Sequence, residues 1–151
     1  MQFVGIDIAS ETHVFAILDA DGTVLAKPKP FTEDAAGHGA LLAALAPPGE
    51  ALVVMEATGH YWKNLFAVLA AKGYEVALIN PLRTHRFQGE SLERTKTDAI
   101  DALGLARFGR EKRPSPTRLG SRASEELREL VRHRDRLRQD FDDRVRQLRR
   151  L

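Results

Sequence analysis

Apolar and polar positions change period along the chain, and the changes mark out its elements. Gln2–Ala9 (Gln-Phe-Val-Gly-Ile-Asp-Ile-Ala) is a β-rich run broken at Ser10-Glu11. In Thr12–Asp19, Val14, Ala16 and Leu18 alternate against His13, Phe15 and Ile17. Both faces are largely apolar, which predicts a central strand. Asp19-Ala20-Asp21-Gly22 is a hairpin turn, and Thr23–Lys29 is the third strand, ended by Pro28 and Pro30. Three antiparallel N-terminal strands are therefore expected. Thr32-Glu33-Asp34 opens a helix with Thr32 as N-cap, running to about Ala46 and stopped by Pro47-Pro48-Gly49. Ala51–Met55 is a buried strand with Glu56 at its C-terminal end. Helix His60–Lys72 follows, with Trp62, Leu65, Phe66 and Leu69 as its stripe and Gly73 as its C′ residue. Tyr74–Asn80 is a further buried strand. This βαβ order implies a parallel pair with a right-handed crossover.

Beyond Pro81 the pattern becomes helical and basic. Pro81–Gly89 is short and partly helical, and Glu90–Thr95 is a loop. A helix then starts at Asp98, N-capped by Thr97, and runs to about Phe108. From Ser121 onward, Leu127, Leu130, Leu137, Phe141, Leu148 and Leu151 follow one heptad pattern, with Arg134 and Arg144 in its remaining core places. Val131 and Val145 widen the stripe. This predicts a coiled-coil helix; the alternative is one helix packed back on the α/β domain. The expected organisation is an α/β domain over 1–109, a basic linker over 110–120 and a coiled-coil helix over 121–151. The helix stops in mid-pattern at Leu151, so a fragment of a longer protein is expected.

Composition adds little until it is divided. The 151 residues are 43% hydrophobic and 29% charged, ordinary for one globular domain with a core. No apolar run reaches membrane-spanning length, and no signal peptide is expected, because the first strand is not preceded by a basic region followed by an apolar one. The absence of Cys excludes disulfides, thiolate zinc sites and Cys nucleophiles. A cytoplasmic protein is expected. The net charge of +2 hides an asymmetry: residues 1–82 carry −5 and residues 83–151 carry +7, with 17 Arg among the 19 basic residues of the second part. Such a half suits a polyanion partner, and Arg forks match phosphate oxygens. A solvated helical surface is the plainer reading.

Four acids stand out. Asp98 and Asp101, three residues apart, share a helix face. Acids at a helix start also simply complement the macrodipole. Asp7 interrupts an apolar strand beside Gly5, which admits a close backbone, and Glu56 ends another strand. If those strands are neighbours the two acids converge, and a helix across that edge brings Asp98 and Asp101 to them. Four carboxylates together repel unless neutralised. Oxygen ligands without Cys or a His cluster point to Mg²⁺ or Mn²⁺, and a two-ion site suits phosphoryl displacement.

The order Asp, Glu, then Asp-x-x-Asp matches the RNase H-like fold of resolvases. Val4-Gly5-Ile6-Asp7-Ile8-Ala9, Met55-Glu56-Ala57-Thr58-Gly59, Asn80-Pro81 and Lys96-Thr97-Asp98-Ala99-Ile100-Asp101-Ala102, with Leu105-Ala106 after, resemble the DEDD transposases. These are insertion-sequence recombinases with a Holliday-junction-resolvase-like N-terminal domain. The resemblance covers essentially the whole chain. It implies a mixed sheet of three antiparallel strands followed by parallel strands. It also implies a catalytic, metal-binding set of Asp7, Glu56, Asp98 and Asp101. A coiled coil would join dimers or tetramers, and a structured guide RNA would direct DNA strand cleavage and exchange. The family's second domain, with its catalytic serine, is not in this sequence, so the chain alone is expected to be inactive in recombination. Ser10 reads as a turn residue rather than a nucleophile.

Arg83, Arg86, Arg94, Lys96, Arg110, Lys112 and Arg113 flank the acids in sequence and are candidates for phosphates of DNA or RNA. Lys96 is the one nearest the acids. Phe87 is a candidate for stacking on bases, whereas Trp62 fits the core stripe. Two alternatives stand beside the recombinase. One is a non-catalytic RNA- or DNA-binding dimerisation module with structural acids. The other is an actin-like sugar kinase, against which Ala9 occupies the position where a phosphate-admitting Gly is needed.

Overall fold

The structure, a computed structural model, describes residues 1–90, 98–120 and 122–148. The strands are β1 (Gln2–Asp7), β2 (Thr12–Leu18), β3 (Val24–Thr32), β4 (Ala51–Glu56) and β5 (Glu75–Ile79). The helices are α1 (Ala35–Ala44), α2 (Trp62–Ala71), α3 (Pro81–Glu90), α4 (Asp98–Lys112) and α5 (Arg122–Leu148). The sheet order is β3-β2-β1-β4-β5. β1–β2 and β2–β3 are antiparallel, while β1–β4 and β4–β5 are parallel. The mixed α/β architecture and the central position of β2 are as the alternation predicts.

Several boundaries differ, two of them around β3 and α1. β3 passes through Pro28 and Pro30 and pairs as far as Thr32 with Thr12. Proline is tolerated there because β3 is an edge strand, whose outward side forms no ladder. The α1 cap is Asp34 rather than Thr32: its Oδ1 accepts from the Gly37 N–H at 2.7 Å, while the Thr32 hydroxyl donates to the same oxygen at 2.9 Å. Thr32 is still in the strand, so the cap falls two residues later.

Strand alternation divides the core between two faces. On one, Val4, Ile6, Phe15, Ile17, Val53, Met55 and Val76 pack with Leu41 of α1 and Leu65, Phe66 and Leu69 of α2. On the other, Phe3, Leu52, Val54, Ala77 and Ile79 pack with Leu105 and Phe108 of α4. Leu65 is wholly buried, so Leu65→Ala is expected to cost about 2–5 kcal/mol, measured by denaturant unfolding.

Met1–Thr117 form one compact unit and a second begins at Arg118. The first unit takes in residues that the sequence reads as linker. α4 continues to Lys112, and Arg113 ends it in the left-handed region (φ 43°). Thr117 then docks on β5: its N–H donates to the Val76 carbonyl at 2.8 Å, and its hydroxyl accepts from the Leu78 N–H at 2.9 Å. In the second unit α5 is a single helix on which Leu127, Leu130, Leu137, Phe141 and Leu148 are each more than half exposed. Among the described residues, no helix is long and apolar enough to cross a membrane.

Candidate functional site

Asp7 and Glu56 are brought together by strand register. The parallel pairing of β1 with β4 runs from Gln2↔Ala51 to Ile6↔Met55. Asp7 and Glu56 are the next residue on each strand, on backbones about 5 Å apart. Both belong to the alternation series that faces α4: Phe3, Gly5, Asp7 on β1 and Leu52, Val54, Glu56 on β4. Both acids are partly buried.

The path of α4 across this face follows from its small residues. A Cβ on Gly5 would lie 2.0 Å from the Ala102 carbonyl oxygen and 2.3 Å from the Ala106 nitrogen, so helix and strand backbones touch. Gly109 faces Val54 and Phe3. From Phe3 to Gly5 the contacts therefore step back from Gly109 to Ala102, and α4 runs antiparallel to β1. Asp7 is about 7 Å beyond Gly5 along the strand. Asp98 precedes Ala102 by one turn, about 6 Å. The first turn of α4, with its positive dipole end, is thus level with Asp7. Asp101 is partly buried within that turn. The Asp98 side chain lies outside the described residues, as do Arg94 and Lys96. Among the described residues no three His, Asp or Glu side chains form a metal-binding group.

Glu56 has a partner that sequence reasoning missed. The Thr84 hydroxyl, on α3 and 2% exposed, has its one proton between two acceptors, Glu56 Oε1 and, at 2.9 Å, the Pro81 carbonyl oxygen. No local pattern signals this, because it depends on how α3 docks beneath β4.

Among the described basic candidates, those on α4 and at its end are not gathered around the acids. Arg110, Lys112 and Arg113 are at the far end of α4, Arg110 being about 18 Å from Asp98 along the helix axis. The Arg113 guanidinium covers the Phe3 ring at 5.6 Å, and Arg110 packs on the β2–β3 turn at Gly22. Arg83 covers Phe108 at 5.9 Å and Lys112 covers Phe87 at 5.6 Å. Arg86 is exposed on α3. Phe87 meets Phe108 edge-on, 5.4 Å between centroids, and is packed against the second core rather than open for base stacking. Trp62 packs against the first core.

On the opposite face, His13 is wholly buried and its Nε2 is hydrogen-bonded to Glu33 Oε2. Glu33 Oε1 accepts from the Asn64 side-chain amide and lies 3.3 Å from His38 Nε2. Burial pushes the Glu33 carboxyl up, but hydrogen bonds with His13 and Asn64 and the nearby His38 ring outweigh it and hold it below the ordinary range. A lowered carboxyl stabilises the fold fully above the unfolded value, about 4.3. That contribution is lost as pH falls through the folded value. The stability difference between wild type and Glu33→Gln should therefore shrink in acid, as urea unfolding at a series of pH values would measure. The sequence signal for this cluster was His13 itself, in line with Phe15 and Ile17.

Known proteins share the fold and the family sequence. Thermus thermophilus RuvC superposes with a TM-score of 0.53 at 13% identity, covering 78% of this chain and 100% of that one. The same protein in complex with a Holliday junction substrate gives 0.53, 13% and 78% of this chain, with 99% of that one covered. At such identity the likeness shows the fold, an RNase H-like resolvase fold. In sequence, the chain is 39% identical over 109 residues to the candidate mini-circle transposase for IS117 from Streptomyces coelicolor, covering 69% of this chain and 26% of that protein. It is also 39% identical over 62 residues to the pilin gene-inverting protein of Moraxella lacunata, covering 41% of this chain and 19% of that protein. The chain thus spans about a quarter or less of those relatives' lengths. The family model described as a transposase, of the IS110 DEDD type, matches residues 4–151. With that match across nearly its whole length, the chain belongs to the IS110-type DEDD transposases.

Proposed function

We propose that this chain supplies the carboxylate half of a metal-dependent DNA recombinase that cleaves and exchanges strands during insertion-sequence transposition. The observation that carries the reading is the side-by-side placement of Asp7 and Glu56 on the face crossed by the first turn of α4. The donor set fits hard divalent cations: every candidate ligand is a carboxylate oxygen on a rigid element. Asp7, Glu56, Asp98 and Asp101 would hold Mg²⁺ or Mn²⁺, two ions in the full set. Bound there, the ions would supply an activated nucleophile and charge stabilisation at the leaving oxygen for in-line phosphoryl displacement. The protein's own part is positional. The sheet fixes Asp7 and Glu56, Thr84 holds one Glu56 oxygen, and the α4 dipole favours a phosphate at its N-terminus.

DNA is the partner, in keeping with the junction complex of RuvC. The +7 charge of residues 83–151 suits a polyanion, and a guide RNA is the second one proposed. The exposed Leu and Phe stripe of α5 is read as the seam of a coiled coil joining two or four copies in the cytoplasm. Full recombination is assigned to a longer polypeptide that adds the serine-bearing domain. Family membership sets aside the sugar-kinase alternative. The non-catalytic module keeps one supporting observation, that Glu56 already has a donor in Thr84.

Calorimetric titration of Mn²⁺ into the chain tests the site. Binding is expected in wild type and its loss in Asp7→Asn, Glu56→Gln and Asp101→Asn; unchanged affinity in these variants leaves the acids structural. The oligomer is tested by sedimentation. Leu137→Asp should convert dimers or tetramers to monomers, and a wild-type chain that sediments as a monomer would remove the coil.

A further inference from the structure

We propose that the buried His13–Glu33 pair positions the turn that follows Asp7, and through it sets the affinity of the carboxylate site for divalent cations. The inference rests on the metal reading above, but His13 lies on the face of the sheet opposite to Asp7.

His13 is 0% exposed, with its ring 5.1 Å from Phe31. Its Nδ1 accepts from the Ala9 N–H at 3.1 Å. A ring nitrogen that accepts carries no proton, so in the neutral ring the proton is on Nε2, which donates to Glu33 Oε2. Glu33 is held in turn by the Asn64 amide, and its own N–H donates to the Glu11 carbonyl at 2.9 Å. The β1–β2 turn, Ile8–Glu11, is therefore tied at Ala9 through His13, and at Glu11 directly, to Glu33. Ala9 is two residues from Asp7. A Leu or Phe at position 13 would fill the pocket beside Phe15 and Phe31 without burying polar atoms. What the histidine adds is direction: a fixed tautomer with one nitrogen for the turn and one for the carboxylate. Cation binding depends on ligand placement, and losing groups that orient ligands typically lowers metal affinity by about 10–100-fold.

The test is Mn²⁺ titration calorimetry on the chain, with the fold of each variant checked by circular dichroism. Asp7→Asn tests the underlying metal reading. His13→Leu removes both hydrogen bonds at similar volume. Glu33→Gln leaves one acceptor oxygen for the donors of His13 and Asn64. If Asp7→Asn abolishes binding, His13→Leu and Glu33→Gln should weaken it about 10-fold or more. Exchange of the Ala9 amide hydrogen, read by NMR, should quicken in both. His13→Asn, which keeps an acceptor near Ala9, should recover part of the affinity. Wild-type affinity in folded His13→Leu and Glu33→Gln, with Asp7→Asn still inactive in binding, overturns the positioning role alone. Unchanged binding in Asp7→Asn overturns the metal reading and this inference with it. If His13→Leu does not fold, Glu33→Gln decides the matter, since that side chain is 18% exposed and its replacement removes no volume.

Discussion

Gly5→Ala is expected to lower the melting temperature by roughly 10 °C for a domain of this size, an effect out of scale with one methyl group. The added Cβ would stand 2.0 Å from the Ala102 carbonyl oxygen, 2.3 Å from the Ala106 nitrogen and 2.9 Å from Leu105 Cβ. Two of those atoms are helix backbone and cannot swing aside, so α4 must lift off the sheet. Overpacking in a core costs about 1–3 kcal/mol and occasionally more, and here the upper end applies. Gly109→Ala makes a useful comparison. Its Cβ would meet Val54 Cγ2 at 2.8 Å, a side-chain atom that has somewhere to go. A thermal melt of Gly5→Ala within a degree or two of wild type would mean that α4 is not seated on β1 as described. The variant bears on the proposed function too, because the contact that seats α4 on β1 also sets the first turn of the helix level with Asp7.

Asp7→Asn should abolish metal-dependent strand cleavage while leaving the sheet intact. The change keeps the side chain's shape and removes its negative charge. Loss of a group that merely orients a ligand already costs about 10–100-fold, so loss of a ligand should exceed about 100-fold. Cleavage of a labelled DNA junction in Mg²⁺ measures the loss, in whatever length of the polypeptide supports cleavage. Junction binding in EDTA should persist, because phosphate contacts by Lys and Arg need no metal. A cleavage rate within a few-fold of wild type would remove Asp7 from the chemistry.

What could be seen in the sequence and what could not have physical causes. Period-2 alternation in Thr12–Asp19 and the Asp19–Gly22 turn are local signals, and the hairpin they specify is present. Asp7 and Glu56 stood out because an acid in an apolar strand is expensive wherever the strand goes. Their adjacency needed only the assumption that β1 and β4 pair, which holds. The basic residues are different. Arg110, Lys112 and Arg113 are near the acids in sequence, but the helix that carries them runs away from the acidic end of the sheet. Closeness along a helix of this length becomes distance in space. The partners of Glu56 and Glu33 were not legible for a related reason, although His13 by itself stood out in its strand. Each joins elements more than twenty residues apart or from separate layers, and no periodicity encodes which side chain will meet which.

Both borders of the sheet are closed to further strands. β3 carries Pro28 and Pro30, which offer no N–H to a newcomer, and at the other border Thr117 already occupies the β5 groups at Val76 and Leu78. An open ladder is a ready template for sticking to another chain. Copies of this protein held at high local concentration are therefore guarded against joining sheet to sheet at either border.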